Sequence, residues 1–366
     1  MSAGLRTRAA VAFACGEPLR IEEVTVRDPG PGEVRVRVAA CGVCASDLHV
    51  WRTGEGIGFP AVLGHEASGV VEAVGAGVTE VAQGQAVVLA WIPRCGRCRA
   101  CRVGRAHLCA GMRTNADDGS LALGGAPLGR YMGVSGLSEH VVVHERAAIP
   151  VPEGLPLRSV CLVGCGVTTG FGAAVITGAT RFGESVAVFG CGAVGLAAVQ
   201  GARIVGAATI IAVDPNRARR ELAGRLGATH LVSPEDGAAV TAIHALTDGG
   251  VDLAIEAAGS ASVVRQAFDA LAPGGRAVAV GLTSYVEEVS LPVISLLLDK
   301  SLHGCLHGSA DPGRDFPKLF ALAARGELRL EEMAGPDVPL ARVNDAFAAL
   351  AGGRAIRPRI VFAEAP

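Results

Sequence analysis

Lysine is almost missing from this 366-residue chain: Lys300 and Lys318 are the only two, so its basic charge is carried by arginine. Charge of either sign is in short supply. Charged residues make up 19% of the sequence, and the formal net charge is −2. That balance leaves no electrostatic footprint for nucleic acid or for an anionic membrane surface. No apolar run reaches membrane-spanning length free of charges or clustered glycines. Residues 1–11 lack the long apolar core and small-residue cleavage site of a signal peptide. Internal repeats and low-complexity tracts are absent too. Half of the residues are hydrophobic, which suits a folded globular protein, and the length suits two domains. Cysteine is what the chain does not lack. It has eleven, an odd number, with four crowded between Cys95 and Cys109. Without a secretion signal, such crowding reads as metal ligation in a reducing cytoplasm rather than a disulfide framework.

Residues 33–38 alternate charged residues with valine, the pattern of a half-buried strand. Short valine-rich runs bounded by glycine follow at 68–74, 86–90 and 139–143, which together suggest a small β-rich barrel. The texture changes after Pro156. Strand-like runs at 186–189, 209–213, 230–232, 253–256, 277–280 and 302–306 alternate with helix-length segments. Six strands with helical crossovers predict a doubly wound parallel sheet. Beyond residue 307 come amphipathic segments at 315–325 and 341–351 and a last strand at 359–362.

Gly190-Cys-Gly192-Ala193-Val194-Gly195 follows the first of those six runs and opens a helix rich in alanine and valine. Glycine serves there where the chain turns tightly, where backbone meets pyrophosphate, and where helix packs on strand. The helix N-terminus offers free N–H groups and a positive dipole end to phosphates. The next strand ends at Asp214, nineteen residues after Gly195. A carboxylate at that spacing accepts hydrogen bonds from the adenosine ribose and repels a 2′-phosphate, so the cofactor expected is NAD rather than NADP. Arg217, Arg219 and Arg220 just beyond it pull the other way.

Cys95, Cys98, Cys101 and Cys109 fall within fifteen residues. Four thiolates at such spacing close a tetrahedral zinc site with no open position, a structural staple for a polar, arginine-rich loop. An iron–sulfur site is the alternative, although the bacterial ferredoxin run has a tighter last spacing followed by proline, and here Ala110 follows Cys109.

Three further segments bear chemistry-capable residues: Cys41-Gly-Val-Cys44-Ala45-Ser46-Asp47-Leu-His49, Gly64-His65-Glu66, and Leu162-Val-Gly-Cys165-Gly-Val-Thr-Thr169-Gly. Spacing alone does not join them. Singly, His65 reads equally as structural or liganding, and Cys165 as a small core residue. Taken together with the cysteine quartet and the 190–195 loop, in that order, they resemble the zinc-containing medium-chain alcohol dehydrogenases along essentially the whole chain. The stretch 111–136 resembles the longer loop of the classical branch. Trp91-Ile-Pro-Arg-Cys95-Gly-Arg-Cys98 and Gly-Ala-Arg203-Ile-Val-Gly-Ala are most similar to the bacterial nicotinoprotein-like subgroup, which keeps its NAD bound.

The resemblance implies a GroES-like β-rich catalytic domain over 1–166, a Rossmann domain over 167–306 and a return to the first domain over 307–366. It implies a homodimer or homotetramer joined through the coenzyme domain, acting on a small alcohol or aldehyde. Cys44, His65 and Cys165 become ligands of a catalytic zinc with a fourth position open, so that two Zn²⁺ ions are expected per chain. Glu66 is the carboxylate able to approach that metal, and Asp47 holds the far nitrogen of His65. The zinc is a Lewis acid for the alcohol, Ser46 accepts its proton, and His49 is the outlet of the relay. Residue by residue, the bland readings are a helix first-turn carboxylate for Asp47, an N-cap for Ser46 and an exposed imidazole for His49. Thr169, Arg219 and Arg357 are implied on the cofactor, and Trp91, Met132 and Leu306 along an apolar substrate channel, with ordinary core the alternative for Trp91.

Two departures stand out. Ala45 occupies a position where many relatives place a basic residue on the pyrophosphate, and His307 replaces a commonly apolar residue. Primary or aromatic alcohols are the first substrate reading. Glu55 and Arg113 lie near positions that hold polar groups of the adduct in thiol-dependent formaldehyde dehydrogenases, which makes that activity the second. A non-catalytic zinc- and dinucleotide-binding protein is the third.

Overall fold

The computed structural model describes residues 4–110, 119–234 and 238–362. The chain divides into two compact units, Met1–Cys165 with Asp311–Pro366, and Gly166–Ala310.

The first unit is built on two sheets. In one, Leu5–Ala12 pairs antiparallel with Arg20–Val26 and Ala61–Val62, and short strands at Leu121–Leu123, Ala126–Pro127 and Gly129–Arg130 complete six. In the other, of seven strands, Glu33–Gly42 lies between Glu66–Val74 and Arg359–Val361 and also pairs with His140–His144. The alternation at 33–38 does what period two requires. Val34, Val36 and Val38 are buried while Glu33, Arg35 and Arg37 between them are partly exposed. Those valines pack with Leu63, Leu89 and Leu137 into one core, each such side chain contributing about 1.5–3 kcal/mol on burial. Strand Arg359–Val361 pairs with Ala40, Cys41 and Gly42 and so braces the strand that leads into Cys44.

The second unit holds six parallel strands in the spatial order His230–Val232, Thr209–Val213, Ser185–Phe189, Val251–Glu256, Leu271–Ala279, Ser301–Gly304. The order reverses beside Ser185–Phe189, and in open sheets of this kind ligands bind outside the carboxyl ends of the strands at that switch point. Val186 to Phe189 are all buried, the continuous run of a strand covered on both faces. Helices Ala193–Ile204, Arg217–Leu226 and Ala261–Asp269 are among the crossovers. The amphipathic segments after 307 form helices Pro312–Ala324 and Val343–Ala351 in the first unit.

The sequence reading misses the hairpin of Leu5–Ala12 and Arg20–Val26, and it runs the sixth parallel strand two residues too far. That strand stops at Gly304, because backbone at His307, Gly308 and Ser309 turns to positive φ. Among the described residues no single helix is long and apolar enough to cross a membrane.

Candidate metal and dinucleotide sites

Strand Glu33–Gly42 delivers Cys44 to the start of helix Ala45–Thr53, where Cys44 is the N-cap. The N-cap reading of Ser46 therefore fails; Ser46 lies inside the first turn. The carboxylate of Asp47, completely buried, organises the neighbourhood. Its Oδ2 accepts the Cys44 N–H at 2.8 Å, and its Oδ1 accepts the Gly64 N–H at 2.9 Å. Oδ1 also lies 3.2 Å from Nδ1 of His65. Both readings of Asp47 hold at once, first-turn carboxylate and partner of His65. Gly64 has φ +90°, and a Cβ there would sit 2.8 Å from the Leu137 nitrogen and 2.9 Å from Cys41 Sγ, so only glycine lets the chain deliver His65.

With Nδ1–H given to Asp47, the His65 Nε2 is the nitrogen left to bind something else. The Ser46 hydroxyl is 3.4 Å from it. One donor atom each from Cys44, His65 and Cys165 lies within 4.8 Å of the others, and all three residues are buried. The hydrogen bond from the Cys165 thiol, working against burial, holds Cys44 well below the usual thiol range; Arg357 and His65 add to it. Cys165 is pushed up by that same bond and by burial. Burial alone would lower His65, but Asp47 and Cys44 outweigh it and bring it up to about 10. Two sulfurs and a nitrogen, buried together with a thiolate among them, form a donor set that fits one tetrahedral zinc with a position to spare.

Glu66 is fully buried, and Arg357 beside it is 3% exposed. The Arg357 Nε lies 3.4 Å from Glu66 Oε2, and its guanidinium also donates to the Val43 carbonyl. The structure thus turns Arg357, implied on the phosphates, towards Glu66. His49, one turn beyond Ser46 on the same helix face, is not a bare surface imidazole. Its Nε2 is 2.8 Å from Glu55 Oε2. Glu55 is therefore engaged by His49, while Arg113, the other polar group of the adduct reading, lies outside the described residues.

Trp91 and Tyr131 stand edge-on to His65, with ring centroids 6.2 and 5.4 Å away. Tyr131, which the sequence reading passes over for its neighbour Met132, is buried and donates its hydroxyl hydrogen bond to the Ser46 carbonyl at 3.3 Å. Met132 itself has φ +49°, uncommon for a residue with a side chain. Leu306 is 38% exposed and belongs to the second unit, as does buried His307.

Cys95, Cys98, Cys101 and Cys109 also converge within 4.8 Å. The sulfurs of Cys95 and Cys101 are 4.0 Å apart, and those of Cys98 and Cys109 are 3.9 Å apart. Zinc–sulfur bonds of about 2.3 Å make a tetrahedron with edges of about 3.8 Å, whereas a disulfide needs about 2.05 Å. Backbone N–H groups of Cys95 and Cys98 point at the Cys109 and Cys95 sulfurs, both at 3.3 Å. A backbone N–H bond from Cys101 leads the causes that bring Cys98 down to about 6, and burial takes Cys101 up to about 12. The donor chemistry fits one closed zinc site.

In the second unit, Gly190 takes φ +94° directly after strand Ser185–Phe189, and a Cβ on it would come within 2.9 Å of the Ala257–Ala258 peptide. Gly192 then caps helix Ala193–Ile204, whose first turn contains Ala193, Val194 and Gly195. Asp214 is buried at the end of the neighbouring strand. It accepts the Cys191 N–H at 2.7 Å through Oδ2 and the Asn216 N–H at 2.8 Å through Oδ1. Arg219 lies in the first turn of the following helix, with its N–H on the Asn216 side chain. Thr169 sits, mostly buried, on helix Gly166–Gly172, which packs against Ala193–Ile204.

Both units are similar to known proteins. Residues 30–153 match the alcohol dehydrogenase GroES-like domain, and residues 193–325 match the zinc-binding dehydrogenase domain. The chain is 37% identical to alcohol dehydrogenase 1 of Pisum sativum over 365 residues, 96% of each protein. Its structure is similar to an alcohol dehydrogenase zinc-binding domain protein from Burkholderia ambifaria, with TM-score 0.94 and 37% identity over 98% of this chain and 100% of that one. Benzyl alcohol dehydrogenase from Acinetobacter calcoaceticus gives TM-score 0.93 and 32% identity over the same shares. A GroES-like unit joined to a Rossmann-type parallel sheet, with relatives that are themselves alcohol dehydrogenases, leaves no place for the non-catalytic reading: the chain belongs to the medium-chain zinc alcohol dehydrogenase family and is an alcohol oxidoreductase.

Proposed function

We propose that this enzyme oxidises primary alcohols, aromatic ones included, to aldehydes with NAD as hydride acceptor, and runs the reverse reaction. The observation that carries the reading is the buried meeting of Cys44, His65 and Cys165. Cys₂His is the alcohol dehydrogenase ligand set; these three residues would hold a zinc ion, which would supply a Lewis acid for the alcohol oxygen. A second zinc belongs to the four-cysteine lobe. Asp47 keeps His65 in the tautomer that presents Nε2, and Arg357 balances the charge of buried Glu66. The Ser46 hydroxyl, next to the His65 ligand atom, is placed to take the proton from the alcohol, with His49 one turn outward to pass it on. Trp91 and Tyr131, edge-on to His65 with Met132 beside them, form an apolar wall suited to a flat aromatic alcohol. The relative named for benzyl alcohol supports the same substrate class.

NAD is favoured over NADP because buried Asp214 places negative charge where a 2′-phosphate would have to sit. The first turn of Ala193–Ile204 and the neighbouring Thr169 and Arg219 surround the rest of that site. Self-association rests on Ser301–Gly304, an edge strand, together with exposed Tyr285, Val286, Val293, Ile294 and Leu297 before it. An unpaired edge beside an apolar patch invites a second copy. Ile294→Glu with Leu297→Glu should reduce the particle mass in sedimentation to that of one chain.

The decisive experiment measures zinc by mass spectrometry and NAD reduction with benzyl alcohol. Two zinc ions per chain and turnover are expected from the native enzyme. Cys165→Ala should keep only the four-cysteine ion and lose turnover, because an open site cannot spare one of three ligands. Retained activity in that variant rejects the proposed centre.

A further inference from the structure

Glu55 is the residue of this neighbourhood with no role in the chemistry so far, yet the fold takes trouble to place it. Helix Ala45–Thr53 ends at Gly54, which adopts a left-handed conformation with its N–H bonded to the Val50 carbonyl. The Thr53 hydroxyl donates back to the His49 carbonyl at 2.9 Å and accepts the Glu55 N–H at 3.1 Å. This turn folds Glu55 back over the last turn of the helix, where its carboxylate meets His49 Nε2 at 2.8 Å. Both side chains are mostly covered, the imidazole 25% and the carboxylate 32% exposed. A loose surface pair of such length contributes little; this one is set by the helix C-cap and a threonine bridge before either side chain chooses a rotamer.

We propose that Glu55 is a positioning residue for the proton relay: by accepting the Nε2–H of His49 it fixes the imidazole tautomer so that Nδ1 carries the lone pair that receives the outgoing proton. The inference rests on the reading of Ser46 and His49 as that relay. A neutral imidazole has one donor and one acceptor nitrogen, and the partner of the first decides which is the second. The proton balance closes simply. The alcohol proton leaves through Ser46, His49 gains it at Nδ1 while its Nε2–H stays on Glu55, and the proton is then lost to water. No other bond changes. Glu55 thereby has a function independent of any thiol adduct.

The test uses the holoenzyme with ¹⁵N-histidine, the His49 signals being assigned by their loss in His49→Gln. In the wild type, neutral His49 should show the Nε2–H tautomer. In Glu55→Ala it should become a mixture, with kcat for benzyl alcohol lowered about tenfold, while KM and zinc content stay unchanged. Glu55→Asp should recover part of the loss. Added to His49→Gln, the Glu55→Ala change should cost nothing more. An unaltered tautomer in Glu55→Ala, or a full additional loss in the double variant, overturns the proposal. Failure of the wild type to reduce NAD with any alcohol overturns the relay and the proposed function beneath it; the tautomer signals would then still report whether Glu55 orders the ring.

Discussion

Asp47 binds together two pieces of chain: the N-cap of its own helix and the Gly64–His65 turn, with the His65 ring. Both of its oxygens accept, so Asp47→Asn must present an NH₂ group to at least one N–H donor in a buried site. Zinc affinity at the Cys44–His65–Cys165 centre should fall about 10- to 100-fold, measured by competition with a chelator, as for the loss of other outer-shell partners. A chelator titration identical to wild type would remove Asp47 from the centre. Asp214 makes a similar argument in the other unit. It secures the turn at Cys191 and the start of the Asn216-capped helix, and in the proposed function its remaining lone pairs go to ribose. Asp214→Ala should raise the Kd for NAD about tenfold or more, from the loss of charge-assisted hydrogen bonds, and narrow the preference over NADP. Calorimetry with both dinucleotides decides, and an unchanged ratio would move the discrimination to Arg219 and Arg220.

At the scale of elements, the four-cysteine lobe has among the described residues a small buried cluster of Ile92, Cys95 and Cys109, little to hold a loop together without a metal. Cys98→Ala should therefore release one zinc and lower the thermal midpoint before it changes any kinetic constant; normal stability with altered substrate kinetics would contradict a structural role. Glu145 ties another pair of segments, its Oε2 accepting the N–H groups of Thr79 at 2.7 Å and Glu80 at 2.8 Å. Burial works to raise this carboxyl, but those two bonds prevail and hold it below its ordinary value of 4.5. A depressed folded value means that the carboxylate stabilises the fold above about pH 4.5 and ceases to do so as the pH falls through the folded value. The stability advantage of the native enzyme over Glu145→Gln should accordingly be full at pH 7 and shrink below pH 4.5 in denaturant titrations. A gap that does not vary with pH would show that the carboxylate's charge is irrelevant there.

At the scale of the whole molecule, the proposed use of NAD bears on whether the cofactor leaves between turnovers. Ala45 is uncharged, and Arg357 is drawn to Glu66. In the proposed function the dipole and N–H groups of Ala193–Ile204 carry the phosphates, and they hold less tightly than charge-assisted pairs worth about 1.5–3 kcal/mol each. The gel-filtered enzyme should thus need added NAD. Sustained turnover with an artificial electron acceptor and no added NAD would instead bear out the resemblance to nicotinoproteins.

The parallel-sheet strands, the 190–195 loop and the cysteine quartet were legible in the sequence because each is local: a strand period, a strand–glycine–helix junction, four ligands within fifteen residues. Leu5–Ala12 escaped because its arginines and alanines blur the alternation that marks a strand. Cys44, His65 and Cys165 could be joined in advance only through a family resemblance, since nothing local relates three segments so far apart. Tertiary structure alone decided what meets what. It turned Arg357 inward to Glu66, set Tyr131 against His65, and folded Glu55 onto His49. The physical reason is that such contacts are fixed by sheet register, caps and positive-φ glycines acting over long loops, whereas a sequence pattern reports only the periodicity of the segment that contains it.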